Sequence, residues 1–383
     1  MPMTRTRLTY RFTNLLLTLG VTVLLSACDD SSGSSQSTAT LKEHEVHLMP
    51  CTQNYSDITA IVTRALPTGY VLYNDLPLRM PANRTRIRGY VTYDTKVDFM
   101  GDFVYAESEG IGSWSSKIPL DEKQYYIYGF MPGNDYRKVS INAPSGKTYA
   151  DGAVMTISGL DAVTTDDPCV IVGVKGWKNN STHINNIPLT LGQFTYEAEE
   201  DGQYVYLLID HLYAALRLSF DVNTNYNALR TIKLTKMTIT AEAADLSQTV
   251  SSVDMTATLT TGNETQPLAI ELTPKTGTAA TVTVYNGEEL TLSDTNKQDF
   301  LVCIAPHIAD GLNRRFRLAT TYNVYDRKGN LVRESQTAEN VLTIPSTKSL
   351  SAGQMYTFNL TVNPTYLYML SDPDLDSPTL QVN

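Results

Sequence analysis

Hydrophobic and polar side chains alternate along much of the chain. Leu216, Leu218, Phe220 and Val222 are interleaved with Arg217, Ser219, Asp221 and Asn223, and Tyr356, Phe358, Leu360 and Val362 with Thr357, Asn359, Thr361 and Asn363. A strand sends successive side chains to opposite faces, so each run predicts a strand packed on one side and wet on the other. Ile232-Lys233-Leu234 and Met237-Thr238-Ile239 keep this period but slip at Thr235-Lys236, which predicts a β-bulge. Asn286-Gly287, between Val282–Tyr285 and Leu290–Leu292, supplies the positive φ angles of a type I′ hairpin turn. Asp326–Asn330, which contains Gly329, separates Phe316–Tyr325 from Leu331–Arg333 as a second hairpin. Asp210–Leu218 can be read as helix, but the strict alternation after Ala215 favours strand. Long stretches of helical period are absent. Short strands with frequent turns predict an all-β fold of antiparallel sandwiches.

The first residues follow a different pattern. Arg5, Arg7 and Arg11 precede an uncharged apolar run, Leu15–Ala27. A mature membrane-spanning helix needs about 20 apolar residues, so this run suits a signal-peptide core instead. Residues 1–27 are therefore read as a signal peptide. The run ends in Leu25-Ser26-Ala27-Cys28. Small residues before the cut and a thiol after it resemble the bacterial lipobox, which implies diacylglycerol on Cys28. Each buried CH₂ contributes about 0.8 kcal/mol, so several acyl chains anchor firmly. Residues 28–40, rich in Ser, Thr and Asp, read as a flexible tether. Asp29 and Asp30 resemble the acidic export signal of Bacteroidetes surface lipoproteins, which implies a cell-surface position on the outer membrane. In other Gram-negative bacteria an Asp there implies inner-membrane retention.

The remainder, from about residue 41, is too long for one small core and suits two domains. The acidic stretch Glu197, Glu199, Glu200, Asp201 suggests a boundary there, giving domains 41–196 and 197–383. Net charge is −10, and removal of residues 1–64 leaves it unchanged. An acidic chain with no Lys/Arg cluster is a poor nucleic-acid binder. Tyr is abundant, at 23 against 9 Phe and 2 Trp, as in strands with one wet face. Beyond Cys28 the cysteines are Cys51, Cys169 and Cys303, an odd number that implies no complete disulfide framework. Cys169 and Cys303 sit in apolar strands and read as small buried hydrophobes. A bridge between them would have to cross domains.

Candidate chemistry is thin. Ala143-Pro144-Ser145-Gly146-Lys147-Thr148 ends like a phosphate-binding loop, but Ile141 stands where the first Gly belongs. His44, His47 and Cys51 have metal-like spacing, yet on a strand the two histidines face opposite ways. Asp210-His211 has two members of a hydrolase triad without a Ser in a nucleophile elbow. Asp372, Asp374 and Asp376 have calcium-loop spacing, but Ser377 and Asn383 replace the required Gly and Glu. Trp114 and Trp177 offer faces for stacking on sugars, although packing is the commoner use. No constellation supports an enzyme, a cofactor or a metal.

Four features in order resemble the fimbrillins of Bacteroidales, the type V pilins: the lipobox Cys28, then Thr63-Arg64-Ala65, then Tyr126-Ile127-Tyr128-Gly129-Phe130-Met131-Pro132, then His211-Leu212-Tyr213-Ala214-Ala215-Leu216-Arg217-Leu218. The resemblance implies two transthyretin-like antiparallel β-sandwich domains in tandem. It implies that an Arg-specific protease cuts between Arg64 and Ala65, removing 41–64 with a first strand. The vacated groove would accept a strand from a neighbouring subunit, with other pilus subunits as partners and adhesion to host glycan or protein as the outcome. Arg79, Arg84, Arg86 and Arg88 are rival cut sites, but cutting at Arg64 spares the strand near Ile87–Tyr93. Pro364 should end the strand at Val362 for want of a backbone N–H. The tail 364–383 then carries two apolar runs, Tyr366-Leu367-Tyr368-Met369-Leu370 and Leu380-Gln381-Val382, which read as a two-part donor strand or as a self-packed terminal strand. Unlike many shaft subunits, the chain ends without a Trp-bearing strand. A surface lipoprotein that binds ligand or anchors a pilus without polymerising is the alternative.

Overall fold

The computed structural model describes residues 42–58, 70–73, 86–108, 111–120, 124–133, 139–178, 191–197, 203–242, 249–279, 281–306, 314–366 and 373–383. In chain order the strands among them are β1 (Lys42–Thr52), β2 (Ser56–Asp57), β3 (Val71–Leu72), β4 (Arg86–Tyr93), β5 (Lys96–Ser108), β6 (Ile111–Leu120), β7 (Gln124–Met131) and β8 (Val139–Asn142). Next come β9 (Gly152–Asp161), β10 (Val163–Thr164), β11 (Cys169–Lys178), β12 (Thr195–Glu197), β13 (Gln203–His211) and β14 (Ala214–Val222). A single helical turn, α1 (Thr224–Asn227), leads into β15 (Thr231–Glu242), β16 (Val250–Thr260), β17 (Leu268–Thr276) and β18 (Thr281–Leu292). The chain ends with β19 (Gln298–Ile304), β20 (Arg315–Tyr325), β21 (Leu331–Thr343), β22 (Gln354–Tyr366) and β23 (Pro373–Val382). The fold is all-β, as the alternation predicts. No helix among the described residues is long and apolar enough to cross a membrane.

Seven strands close on themselves in the order β11-β13-β1-β6-β5-β4-β7, with β7 pairing back to β11 through Met131↔Cys169 and Phe130↔Val170. A closed ring leaves no open edge. It replaces the plain sandwich expected for the first domain. Close approach inside the ring explains the Gly of the aromatic motif. Gly129 lies opposite Gly89, and a Cβ on Gly129 would stand 2.7 Å from Ile171 and 2.9 Å from the Arg88 carbonyl oxygen. A second sheet, β17-β16-β9-β8, packs its Met155, Ile157, Met255 and Leu259 into the same core.

The second core is a true sandwich. The sheet β10-β19-β14-β22, with β2 and β23 both on β22, faces the sheet β18-β15-β20-β21. Its strand β19 alternates between cores: Val302 and Ile304 enter the second, Leu301 and Cys303 the first. Buried on both faces, this sheet joins the two cores, and residues 41–383 form one compact unit. The chain does not change cores at 196/197. β13 is a ring strand and β12 pairs with the ring strand β7, both feeding the first core; the passage to the second core follows His211, and β16–β17 return to the first. The reason is chemical: the apolar residues on either side of the acidic stretch, Phe194 and Tyr196 before it and Val205 and Leu207 after it, have one core to share.

The predicted bulge at Thr235-Lys236 is present, with register shifts against both β18 and β20 between Leu234 and Lys236. The Asp326–Asn330 turn is also present, closed by Asp326 N–H to Asn330 O at 2.9 Å, with Gly329 at φ +83°. Three expectations are corrected. Asn286-Gly287 makes no hairpin turn: β18 runs straight through it, and the surplus residues are absorbed opposite the β15 bulge. Pro364 does not end β22, because it faces Pro378 of β23, beyond the reach of β14, where no N–H is called for. The sheets are not wholly antiparallel, since β1–β13, β14–β22 and β2–β22 run parallel. The tyrosines also differ from the half-wet reading. Tyr73, Tyr128, Tyr213 and Tyr226 are among the largest fully buried side chains, and their hydroxyls donate to Asp167, Tyr149 O, Asp161 O and Leu375 O.

Candidate functional site

The N-terminal strand holds a central place in the ring. β1 pairs parallel with β13 from Val46↔Gln203 to Cys51↔Leu208, and antiparallel with β6 from Lys42↔Leu120 to Leu48↔Trp114. Val46, Leu48, Met49 and Cys51 are buried. Burial of an aliphatic side chain of this size contributes about 1.5–3 kcal/mol, so Val46, Leu48 and Met49 together hold β1 by roughly 5–9 kcal/mol as an upper figure. The chain then crosses through Gln53–Tyr55 to β2, which lies on β22. Ser56 N–H donates to Gly353 O and Ile58 N–H to Met355 O, both at 2.9 Å, and the Thr357 hydroxyl donates to Asp57 Oδ2 at 2.6 Å. Residues 42–58 thus engage both cores.

Arg64 and Ala65 lie outside the described residues, as do the rivals Arg79 and Arg84. Arg86 and Arg88 both engage the Asp102 carboxylate and belong to β4, so a cut at either would open a ring strand.

Beneath the crossing lies a buried polar cluster. His211 ends β13, directly opposite Cys169 at the start of β11. Its Nδ1 is 2.9 Å from Asp167 Oδ1 and its Nε2 is 2.9 Å from the Gln53 carbonyl oxygen. Both ring nitrogens face acceptors, so the imidazole satisfies both only when protonated. Burial opposes that charge, and the Asp167 carboxylate outweighs burial, leaving the His211 pKa above its ordinary value. Asp167 is held below its ordinary value: burial pushes it up, but His211 and the hydroxyls of Tyr55 and Tyr73 pull it down further. Tyr55 donates to Asp167 Oδ1 at 2.7 Å and Tyr73 to Oδ2 at 3.1 Å. The Tyr55 ring stacks on His211 at 4.0 Å between centroids, and its hydroxyl is 3.4 Å from Cys303 Sγ. Cys169 and Cys303 are free thiols facing the first core, and burial followed by the Asp167 charge pushes both pKa values well up. They remain protonated, which makes them poor nucleophiles. An open cleft of about 720 Å³ lies over the cluster, with Gln53, Asn54, Tyr70, Asp210 and His211 in its wall.

Asp167 is the residue that sequence reasoning missed. The carboxylate beside His211 is not its neighbour Asp210, which accepts instead from Tyr70 at 2.8 Å. Only the pairing of β11 with β13 brings Asp167 near, and no short spacing announces that pairing. The other candidates separate. His47 hydrogen-bonds Ser113 at 3.1 Å and stacks on Tyr204, and it joins no cluster with His44 and Cys51 among the described residues. Asp376 pairs with Arg230 at 2.9 Å, while Asp374 caps the Asp376 N–H at 3.0 Å. The loop 143–148 lies between β8 and β9, with Lys147 N–H donating to Pro144 O. Trp114 is 1% exposed against Tyr73 and Tyr105, so it offers no face to a sugar.

The tail folds at home. Tyr366 ends β22, Leu367, Tyr368, Met369 and Leu370 lie outside the described residues, and β23 pairs antiparallel with β22. Leu380 is buried in the second core, with Val382 packed against it.

No protein-family model matches the sequence, and no curated protein does. Among solved structures the chain is similar to cell adhesion and fimbrial proteins of Bacteroidales. One is a candidate cell adhesion protein from Bacteroides fragilis, at 12% identity over 88% of this chain and 97% of that one, with a TM-score of 0.41. Another is a fimbrial protein from Bacteroides vulgatus, at 12% identity over 89% of this chain and 98% of that one, with a TM-score of 0.30. A third is the fimbrial anchor protein Mfa2 from Porphyromonas gingivalis, at 10% identity over 89% of this chain and 98% of that one, with a TM-score of 0.26. Superpositions this loose assign no residue a role here.

Proposed function

We propose that the chain is a structural subunit of a cell-surface pilus, exported as a lipoprotein through Cys28 to the outer membrane and matured by an Arg-specific cut at Arg64. One observation carries this reading. The first strand of the folded unit is also a central stave of its ring, flanked on both sides by strands that arrive much later in sequence. Loss of residues up to 64 takes that stave away. Unpaired edges are then left on β6 and β13, with apolar pockets shaped for Val46, Leu48 and Met49. Such a groove is a template for a strand from another subunit. Until the cut, the leader occupies it and blocks premature assembly. The partners are then other pilus subunits, the protease, and a host glycan or protein; nucleic acid is not among them.

The tail is the proposed donor. β23 is terminal, lies on the edge of its sheet and gives the second core one fully buried side chain, Leu380, with Leu375 and Val382 half-buried against it. Loss of Leu380 alone costs about 2–5 kcal/mol, and the truncation also removes the Arg230–Asp376 ion pair and the Tyr226 hydrogen bond to Leu375 O, while every strand of both facing sheets other than β23 and the end of β22 stays. A chain truncated after Asn363 should therefore reach the surface folded but form no filaments in electron micrographs. Normal filaments from it, or loss of the second core, would remove the donor role.

The alternative reading, a pilus anchor or ligand-binding lipoprotein that does not polymerise, is favoured by that same packing of β23 on its own β22. It requires that lipid on Cys28 be kept.

A further inference from the structure

We infer that Asp167, Cys169, His211 and the adjoining Cys303 form a site for a thiophilic divalent ion such as zinc, masked in the full-length chain by Tyr55 of the leader segment. Zinc takes thiolate, imidazole and carboxylate donors in a tetrahedron with bonds of about 2.0–2.3 Å, which sets neighbouring donor atoms roughly 3.3–3.8 Å apart. Here the ligand atoms of Asp167, Cys169 and His211 all lie within 4.8 Å of one another, and all three residues are buried. His211 Nδ1 is 2.9 Å from Asp167 Oδ1 and 3.5 Å from Cys169 Sγ, already close to the edges of such a tetrahedron.

The surroundings suit a ligand set. Carboxylates that bind metal are themselves held by outer hydrogen bonds, which fix their direction. Tyr73 does this for Asp167, donating to Oδ2 and leaving Oδ1 toward the cluster. Tyr73 follows Arg64 in sequence, so it stays when the leader goes. Cys303 lies outside that trio and would supply the fourth donor by closing in across the place of the Tyr55 side chain. Between it and Asp167 stands the Tyr55 hydroxyl, 3.4 Å from Cys303 Sγ and 2.7 Å from Asp167 Oδ1. With Tyr55 in place the cluster is a closed hydrogen-bonded network. With Tyr55 withdrawn, the Cys169 thiol, the His211 imidazole and the Asp167 carboxylate keep their spacing, and the Cys303 thiol faces them with no side chain between. A merely structural ion pair needs neither thiol. The site rests on this geometry alone; its natural unmasking rests on the cleavage proposed above.

The test uses the full-length chain, so it does not depend on cleavage. Tyr55 lies in the short link between β1 and β2, outside every ring strand, so Tyr55→Leu should keep the native circular dichroism. Reduced Tyr55→Leu titrated with Co²⁺ should show a thiolate-to-cobalt absorption band that Zn²⁺ abolishes. Wild type should bind roughly tenfold or more weakly, because only its rare unmasked fraction is competent. Cys169→Ser in the Tyr55→Leu background should remove the band. Should Tyr55→Leu unfold, Tyr55→Ala gives the same reading. A folded variant without the band, or binding that survives Cys169→Ser, would overturn the site.

Discussion

The Arg64→Ala chain should reach the cell surface with its leader attached and assemble no filaments. Two strands compete for one groove. While residues 42–58 remain covalently joined to the ring, β1 refills its slot intramolecularly, at an effective concentration in the millimolar range or above. A donor strand from another subunit, with similar apolar contacts, cannot displace it on those terms. Cleavage removes that advantage, although the burial of Val46, Leu48 and Met49 still holds the severed strand until it is displaced. Arg86 and Arg88 cannot serve instead without cutting a ring strand. Gel mobility of the surface form, followed by electron microscopy, reads both parts of the expectation. Normal filaments would place the processing site elsewhere or make processing dispensable.

Replacing Asp167 by Ala should destabilise the full-length chain by roughly 3–5 kcal/mol, the cost of breaking a buried charge pair by removing one partner. His211 is 4% and Asp167 3% exposed at the side chain, so solvent screening offers little relief. The change also strips the acceptor from the Tyr55 and Tyr73 hydroxyls. His211 can limit the loss by giving up its proton, but one ring nitrogen then faces an acceptor without a hydrogen. Asp167→Asn keeps an acceptor and should lose less. Urea denaturation of the two variants beside wild type measures both. An Asp167→Ala midpoint equal to wild type would mean that the cluster contributes nothing to stability.

Local period carried much of the fold. Leu216–Val222 and Tyr356–Val362 are legible as strands because packing on their faces coincides with the alternation. The Thr235 slip is legible because a bulge breaks that alternation within a few residues. What is not legible is decided between distant segments. Nothing near Val46 says that it will lie between β6 and β13, and nothing near Cys303 says that it will face a different core from Val302. Asn286-Gly287 has turn chemistry, yet a bulge across from it absorbs the spare residues. Pro364 has the chemistry of a strand end, yet its partner is another proline. The site follows the same rule. His211 could be picked out beside Asp210, but its true partner, Asp167, is fixed by the register of β11 on β13.

What remains at the head of the assembled protein decides whether β1 is a leader or a permanent strand. Filaments sheared from the cell surface, dissociated and sequenced from the N-terminus, should begin at Ala65, with no peptide from residues 42–58 accompanying them. Surface material that begins at a lipidated Cys28 and retains β1 would contradict the leader role.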